Sequence, residues 1–418
     1  MNKVFSSLDL PNGSTIHNRL CKAAMEENMA DAGQIPSQAL IQLYDVWSKG
    51  QPGIILTGNV MVDPTALTGP GGVVLDKTTF DQEGNKALFE KWARTGKAHG
   101  SQMWMQISHP GRQVYANQGT EVVSASATKV QMAGAEKMFA TARALSLDDI
   151  KALVNRFADT AAAAEASGFD GVEVHAAHGY LVSQFLSPLT NLRDDKYGGS
   201  LENRSRFLRE IITAIRGRVK SSFGVAVKLN SADFQRGGFD IEDAAQVVGY
   251  LNSEKVDFVE LSGGSYESAA MMGMADDGRA QSTKDREMYF IDFAQDIAKA
   301  AKMPIMVTGG VTKYETAEAA LAAGNVDIIG LARAFAYAPV LPSDWQAGER
   351  LQVHISAASF KNPLLKALGT MALTKTQLHL MGDGKAPNPK ANAIIAIIKD
   401  RLRLRKKNKR YQAWLANL

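Results

Sequence analysis

Eight short apolar runs recur between Arg19 and Ala332, most of them followed by an amphipathic stretch, and this alternation leaves few ways to fold. The runs are Arg19–Met25, Gly53–Asn59, Gln102–Ile107, Asp170–His175, Val225–Asn230, Asp257–Ser262, Pro304–Gly309 and Asp327–Ala332. Near-continuous apolar strands are buried on both faces, as in parallel sheets. Helical spacing marks Ser37–Lys49, Phe89–His99, Leu147–Ser167, Leu201–Lys220, Ile241–Asn252, Phe290–Ala301 and Tyr314–Ala323, with Ser146 or Asp148 placed to cap the third. The pattern predicts a (β/α)8 TIM barrel. The rival open doubly wound sheet would have many strands for its class, and no GxGxxG follows the first strand.

Val4–Thr15 reads as a hairpin turning at Pro11-Asn12-Gly13, an N-terminal cap able to plug the barrel mouth. Val60–Glu83 and His109–Ala144 are long connections on the C-terminal rim, where barrels place function. The barrel pattern stops near Pro342, so the expected division is a barrel over 1–342 and a C-terminal helical, partly basic extension over 343–418. Within the extension, Ala391–Leu418 has an amphipathic pattern and a basic run from Arg401 to Arg410. It suits a helix docked on the barrel or on a second subunit of a homo-oligomer. A basic amphipathic helix on an anionic membrane surface is the other reading.

The formal charge of +4 on 418 residues has no concentrated basic module, which argues against a nucleic-acid partner. The single cysteine, Cys21, rules out an intrachain disulfide or an iron–sulfur cluster and suits a cytoplasmic location. No apolar run is long enough to predict a transmembrane segment.

Chemistry concentrates in His175–Arg204, which begins where the fourth strand stops. His175, His178 and Tyr180 bring two imidazoles and a phenol to one strand end. A zinc site on the two histidines, with Glu173 on the same face as His175, is an alternative lacking a clear third ligand; no metal is expected. Tyr180 could equally be a packed phenol. Gly309 and Gly310 after the seventh strand, Ala332 and Arg333 after the eighth, and Ser262-Gly263-Gly264 after the sixth suit a phosphorylated ligand, since glycine admits close backbone approach and arginine offers a charged fork. Ala23, Ala24 and Met25 are small or apolar, and Gly58 is permissive, so a flat ring could pack on that main chain. Gln106 suits the edge of a pyrimidine-like ring, or is an ordinary core amide. Lys228 lies in an apolar strand and requires an anionic partner or a position at the mouth. Ser200 reads as a helix cap, with Glu202 and Arg204 as rim structure.

The segments NRLCKAAM, QISHPGR, HAAHGYL, FLSPLTNLRDDKYGGSLENRSRF, TGG and GLAR together resemble the old yellow enzyme family, and the likeness extends from Met1 to about Pro342. The resemblance implies an FMN-dependent NAD(P)H oxidoreductase that binds FMN through Ala23, Ala24, Met25, Gly58, Gln106, Lys228, Gly309, Gly310, Ala332 and Arg333. It also implies that His175 and His178 hydrogen-bond a substrate oxygen while Tyr180 donates a proton. The expected reaction is ping-pong reduction of an electrophilic alkene, such as an α,β-unsaturated carbonyl, with NADH or NADPH as reductant. A phosphate-binding barrel aldolase or isomerase, and a flavin-dependent amine demethylase of the same family, are the alternatives. One branch of the family carries a cysteine and a tyrosine soon after the first-strand methionine; here Glu26, Glu27 and Asn28 stand there. Lys228 replaces the arginine of many relatives.

Overall fold

The computed structural model describes residues 3–132, 136–264, 267 and 291–418. Its centre is a closed ring of parallel strands: β1 (Leu20–Lys22), β2 (Ile54–Leu56), β3 (Gln102–Ser108), β4 (Gly171–Ala176), β5 (Gly224–Asn230), β6 (Phe258–Ser262), β7 (Ile305–Thr308) and β8 (Ile328–Leu331). Each pairs with the next, β8 pairs with β1, and β3 pairs with β4 to complete the circle. The expected (β/α)8 barrel is what forms. Seven long helices alternate with these strands: α1 (Gln38–Ser48), α2 (Asn85–Gly96), α3 (Leu147–Ala166), α4 (Leu201–Arg216), α5 (Ile241–Leu251), α6 (Ile291–Ala298) and α7 (Tyr314–Ala322). Phe290, the expected start of α6, lies outside the described residues, as do positions 133–135 of the long connection after β3.

Helix starts follow local chemistry. Ser146 caps α3 and accepts from the Asp149 amide, while the Asp149 carboxylate accepts from the Ser146 amide, a reciprocal capping box. Ser200 caps α4 in the expected way, accepting from the Asn203 amide.

The strands alternate strictly between two environments. Outward residues such as Ile55, Val172, Val174, Val227 and Val259 join the large core beneath the helices. Inward residues Ile54, Leu56, Trp104, Ala226, Phe258, Met306 and Ile328 form a second apolar cluster inside the ring. Leu10 and Ile16 join that inner cluster. They flank the hairpin pair of Leu8–Asp9 with Thr15–Ile16, so the predicted N-terminal hairpin does plug the barrel. Trp104 packs its ring 5.0 Å from that of Phe258. Gly171 and Gly224, at the starts of β4 and β5, leave room for it, and a Cβ at either would strike the indole.

β1 is shorter than the sequence suggests, because after Lys22 only the Ala23 amide continues to the β8 edge, donating to Leu331 O at 3.0 Å. Ala24 and Met25 instead begin the loop over the rim.

Beyond Pro342 the chain folds back over that rim. α8 (Pro363–Gly382), which the sequence pattern did not single out, packs on α1 and on the short helix Arg333–Tyr337. α9 (Ala393–Leu415) packs on α8 and on the turn Ala32–Gln34. Tyr411 is fully buried with Met61, Leu67 and Val74, and its hydroxyl donates to Pro64 O at 2.9 Å. α9 therefore docks on the loops of its own barrel, while Ile394, Ile395, Ile398 and Leu402 stay exposed. Among the described residues no helix is long and apolar enough to cross a membrane.

Gly224→Ala forces a methyl group against the Trp104 ring, and overpacking of this kind costs about 1–3 kcal/mol. Urea unfolding of the variant should show that loss, and Trp104→Ala should cost about 3–5 kcal/mol through the cavity it leaves.

Candidate functional site

Above the apolar plug the barrel interior turns polar. Strand register sets the pairs: Gln106 lies opposite Glu173, His175 opposite Lys228, and Lys228 opposite Glu260. Lys228 Nζ donates to Glu260 Oε1 at 2.6 Å, with both side chains almost wholly buried. Gln106 Nε2 donates to Glu173 Oε2 at 2.5 Å. Lys228 thus meets the expected requirement for an anion, and its partner is a carboxylate on the neighbouring strand.

The two carboxyls are in different protonation states. Burial and the adjacent Glu260 charge push Glu173 well above the usual carboxylate range. Burial also raises Glu260, but the Lys228 ammonium together with hydrogen bonds, that from Glu173 among them, holds it below its usual value. With both groups ionised, Glu173 Oε1 and Glu260 Oε2 are buried without a hydrogen-bond partner. A proton on Glu173, shared toward Glu260, resolves both orphans. The layer is then one ion pair and one neutral acid, an arrangement far less costly than two buried anions.

His175 lies one step further up β4, and the turn beyond it sets His178 and Tyr180. His178 has φ 59° and Gly179 φ 73°, two successive left-handed residues. The turn is held by the His178 amide donating to Asn230 Oδ1 at 3.1 Å and by Gln113 Nε2 donating to His178 O at 3.1 Å. These bonds offset the strain of a left-handed residue other than glycine. Tyr180 caps the short helix Leu181–Leu186, and its ring stands edge-on to His175 with centroids 4.8 Å apart. The sequence motif thus becomes one cluster of three rings.

The imidazole tautomers follow from their neighbours. The Ala177 amide donates to His175 Nδ1 at 3.2 Å, so His175 carries its proton on Nε2. That proton faces His178 Nδ1 at 3.3 Å, which leaves His178 protonated on Nε2 and donating to Ser262 Oγ at 2.8 Å. Burial, then the neighbouring His178 and Lys228, holds His175 well below the ordinary imidazole value. Burial and Lys228 lower His178 to about 3. Both rings are therefore neutral hydrogen-bond donors near pH 7. Among the described residues no group of three His, Cys, Asp or Glu side chains is placed to hold a metal ion.

The remaining predicted residues lie at or just beyond the C-terminal ends of neighbouring barrel strands. Ala23 is fully buried and Met25 nearly so. Gly58 approaches Met25 O so closely that a Cβ would collide with it, and the Gly58 amide donates to Glu27 Oε1 at 3.1 Å. Gly310 has φ 71° at the end of β7. Ala332 begins the helix Arg333–Tyr337 after β8, and Arg333 is exposed. An isoalloxazine fits this set. It would meet small side chains along Ala23–Met25 and amide donors and acceptors at Gln106. Lys228 uses one N–H on Glu260 and keeps others available, while the glycine turn and Arg333 suit a phosphate.

Sequence reasoning missed Glu260, Asn230 and Tyr44; it placed Ser262 in a turn for a phosphorylated ligand, whereas its Oγ meets His178, and it named Glu27 without the Tyr44 bond. Tyr44 Oη donates to Glu27 Oε1 at 2.5 Å. Lys22 Nζ lies 4.0 Å from the same Glu27 oxygen and 4.1 Å from the Trp47 ring centre. Glu27 therefore turns behind the rim to anchor Gly58. Glu26 bonds Thr68 and Asn28. The available signal for Glu260 was its place in VELS, an acid in an otherwise apolar strand beside the strand that holds Lys228.

The match to known proteins covers the same region. The model of the NADH:flavin oxidoreductase / NADH oxidase family fits residues 3–352. The NADH-dependent flavin oxidoreductase nadA of Aspergillus parasiticus is 38% identical over 340 residues, spanning 79% of this chain and 76% of that protein. An NADPH dehydrogenase of Geobacillus thermodenitrificans is 30% identical over 360 residues, spanning 85% of this chain and 97% of that protein. The structure of the old yellow enzyme homologue from Zymomonas mobilis superposes with a TM-score of 0.69 at 25% identity, covering 84% of this chain and 94% of the other.

Removing one carboxyl at a time separates their roles. Glu260→Gln strands a buried ammonium and should cost about 3–5 kcal/mol in urea unfolding at pH 7. Glu173→Gln replaces an acid that is already neutral, and its cost should stay within about 1 kcal/mol. Equal losses would contradict the assigned protonation states.

Proposed function

The chain belongs to the old yellow enzyme family of FMN-dependent oxidoreductases that draw on NADH or NADPH, and on that premise we propose that it reduces electron-poor alkenes such as α,β-unsaturated carbonyls. The reading rests above all on two neutral imidazoles at the end of β4 with a phenol edge-on to one of them. When bound, FMN would supply the hydride-transfer chemistry that links NAD(P)H to the second substrate in a ping-pong cycle. Ala23, Ala24, Met25, Gly58, Gln106, Lys228, Gly309, Gly310, Ala332 and Arg333 would hold it.

The chain's own groups then act on the alkene. His175 and His178 both carry Nε2 protons. A carbonyl, nitro or phenolate oxygen would accept from them, taking the acceptor place that His178 Nδ1 and Ser262 Oγ now fill. Neutral donors in a buried site withdraw electron density from the conjugated β-carbon and stabilise the developing enolate, as an oxyanion hole does. Tyr180 would protonate the α-carbon. Because both imidazoles stay neutral far below pH 7, their donor role should be constant from pH 6 to pH 8.

Amine demethylation within the family requires a different second substrate, and an aldolase or isomerase requires no flavin. The single buried Cys21 and the exposed Ile394, Ile395, Ile398 and Leu402 support, as part of the same proposal, a cytoplasmic homo-oligomer with a distinct helical extension beyond the barrel.

Anaerobic titration with NADH or NADPH should bleach the flavin, and an enone should restore its colour; failure of the second step would overturn the alkene assignment. His175→Ala with His178→Ala should weaken binding of a phenol at least about a hundredfold while FMN stays bound. Tyr180→Phe should slow the alkene step by about 10²–10⁴ and leave flavin reduction by NAD(P)H nearly unchanged, read by stopped-flow absorbance.

A further inference from the structure

α8 and α9 bring basic groups together on their facing sides. Lys375 and His379 are one helical turn apart on α8, and Arg403 and Lys407 are one turn apart on α9. Lys375, Arg403 and Lys407 all act on His379, and Lys375 and Arg403 act on Lys407. Burial, then Arg403, Lys407 and Lys375, lowers His379 to about 3, which makes it a neutral ring among three cations. Burial, Arg410, Arg403 and Lys375 lower Lys407 to about 8, although Asp31 opposes them.

Their partners do not balance this charge. Lys375 Nζ donates to Asn28 Oδ1 at 2.7 Å, and Lys407 Nζ donates to Ala30 O at 3.0 Å, so both cations rest on neutral oxygens. Arg403 Nη1 is buried without a hydrogen-bond partner. The nearby carboxylates are committed elsewhere: Glu26 bonds Thr68 and Asn28, and the exposed Asp31 lies 4.0 Å from Arg410. A guanidinium and two ammoniums partly withdrawn from water with no carboxylate hydrogen-bonded to them are costly, and a bound anion lowers that cost.

The place in the fold narrows the ligand. Asn28 and Ala30 belong to the loop that starts at Met25, on the same rim as the three-ring cluster. A planar guanidinium beside two point charges suits the several oxygens of a phosphate or pyrophosphate.

We propose that Lys375, Arg403 and Lys407, with His379 beside them, form a binding site for a phosphate-type oxyanion at the rim, whose source is the pyrophosphate of the nicotinamide dinucleotide. The choice of source rests on the reading that this rim receives NAD(P)H; the site itself does not. The C-terminal extension then serves the reductive half-reaction by gripping the part of the reductant remote from the reacting ring. Binding energy from such remote groups is available to orient the reacting end.

The test uses the full-length, flavin-loaded protein and inorganic pyrophosphate, followed by calorimetry at low ionic strength. The wild type should bind one equivalent. Arg403→Gln should weaken binding about tenfold or more, with its melting temperature and flavin spectrum as checks on folding. Arg405→Gln, on the exposed side of the same helix, should leave binding unchanged. No saturable binding, or equal weakening by both variants, overturns the site. Stopped-flow reduction then identifies the source. Pyrophosphate should compete with NADH but not with 1-benzyl-1,4-dihydronicotinamide, which carries no phosphate. Saturable, Arg403-dependent binding with no effect on either reductant supports a site for free phosphate instead. Competition with both places the anion at the nicotinamide's own position and overturns the assignment. The calorimetric result stands whether or not NADH reduces the flavin, so a failure of the proposed activity remains distinguishable from a failure of the site.

Discussion

A lysine inside a ring of eight strands has to be neutralised where it stands, and the upper half of this barrel is organised around that requirement. Lys228 and Glu260 satisfy each other across adjacent strands, at 2.6 Å. Burial and the Glu260 charge keep Glu173 protonated, and Glu173 in turn holds the Gln106 amide. The same ammonium helps keep His175 and His178 neutral. One ion pair therefore sets the charge of the whole floor below the reacting groups. The lower half of the barrel has no such constraint and is filled by Trp104, Phe258 and the hairpin residues Leu10 and Ile16.

Neutral imidazoles next to a fixed positive charge have a consequence for recognition. On the proposed reading they would donate to a substrate oxygen without supplying the proton for carbon, which would leave that proton to Tyr180, edge-on to His175. Division of labour between polarising and protonating groups is a common way for one site to handle enolate-like transition states.

The barrel was legible because β-strand periodicity and helix caps are local signals. Val225–Asn230 reads as a buried strand before any partner is known, and Ser146 with Asp149 marks a helix start on sequence alone. The cluster of His175, His178 and Tyr180 was legible for the same reason, since all three lie within one short stretch at a strand end. Glu260 was not, because its role depends on Lys228 being opposite it, and register is a property of two strands rather than one. α8 was missed because its apolar residues serve two neighbours, α1 and α9, and so form no single stripe. The shortening of β1 follows from the departure of Ala24 and Met25 toward the rim, which no local propensity announces.

The rim and the ring cluster are tied together over very different spans of chain. His178 is held mainly by bonds to Asn230 and Gln113, 52 and 65 positions away. The loops after β1 and β2 are pinned by Lys407 on Ala30 and by Tyr411 on Pro64, across 377 and 347 positions. Contacts of that separation carry a large loop-closure cost. The doorway therefore takes its shape from two helices at the far end of the chain, while the polarising floor is held by bonds within the barrel.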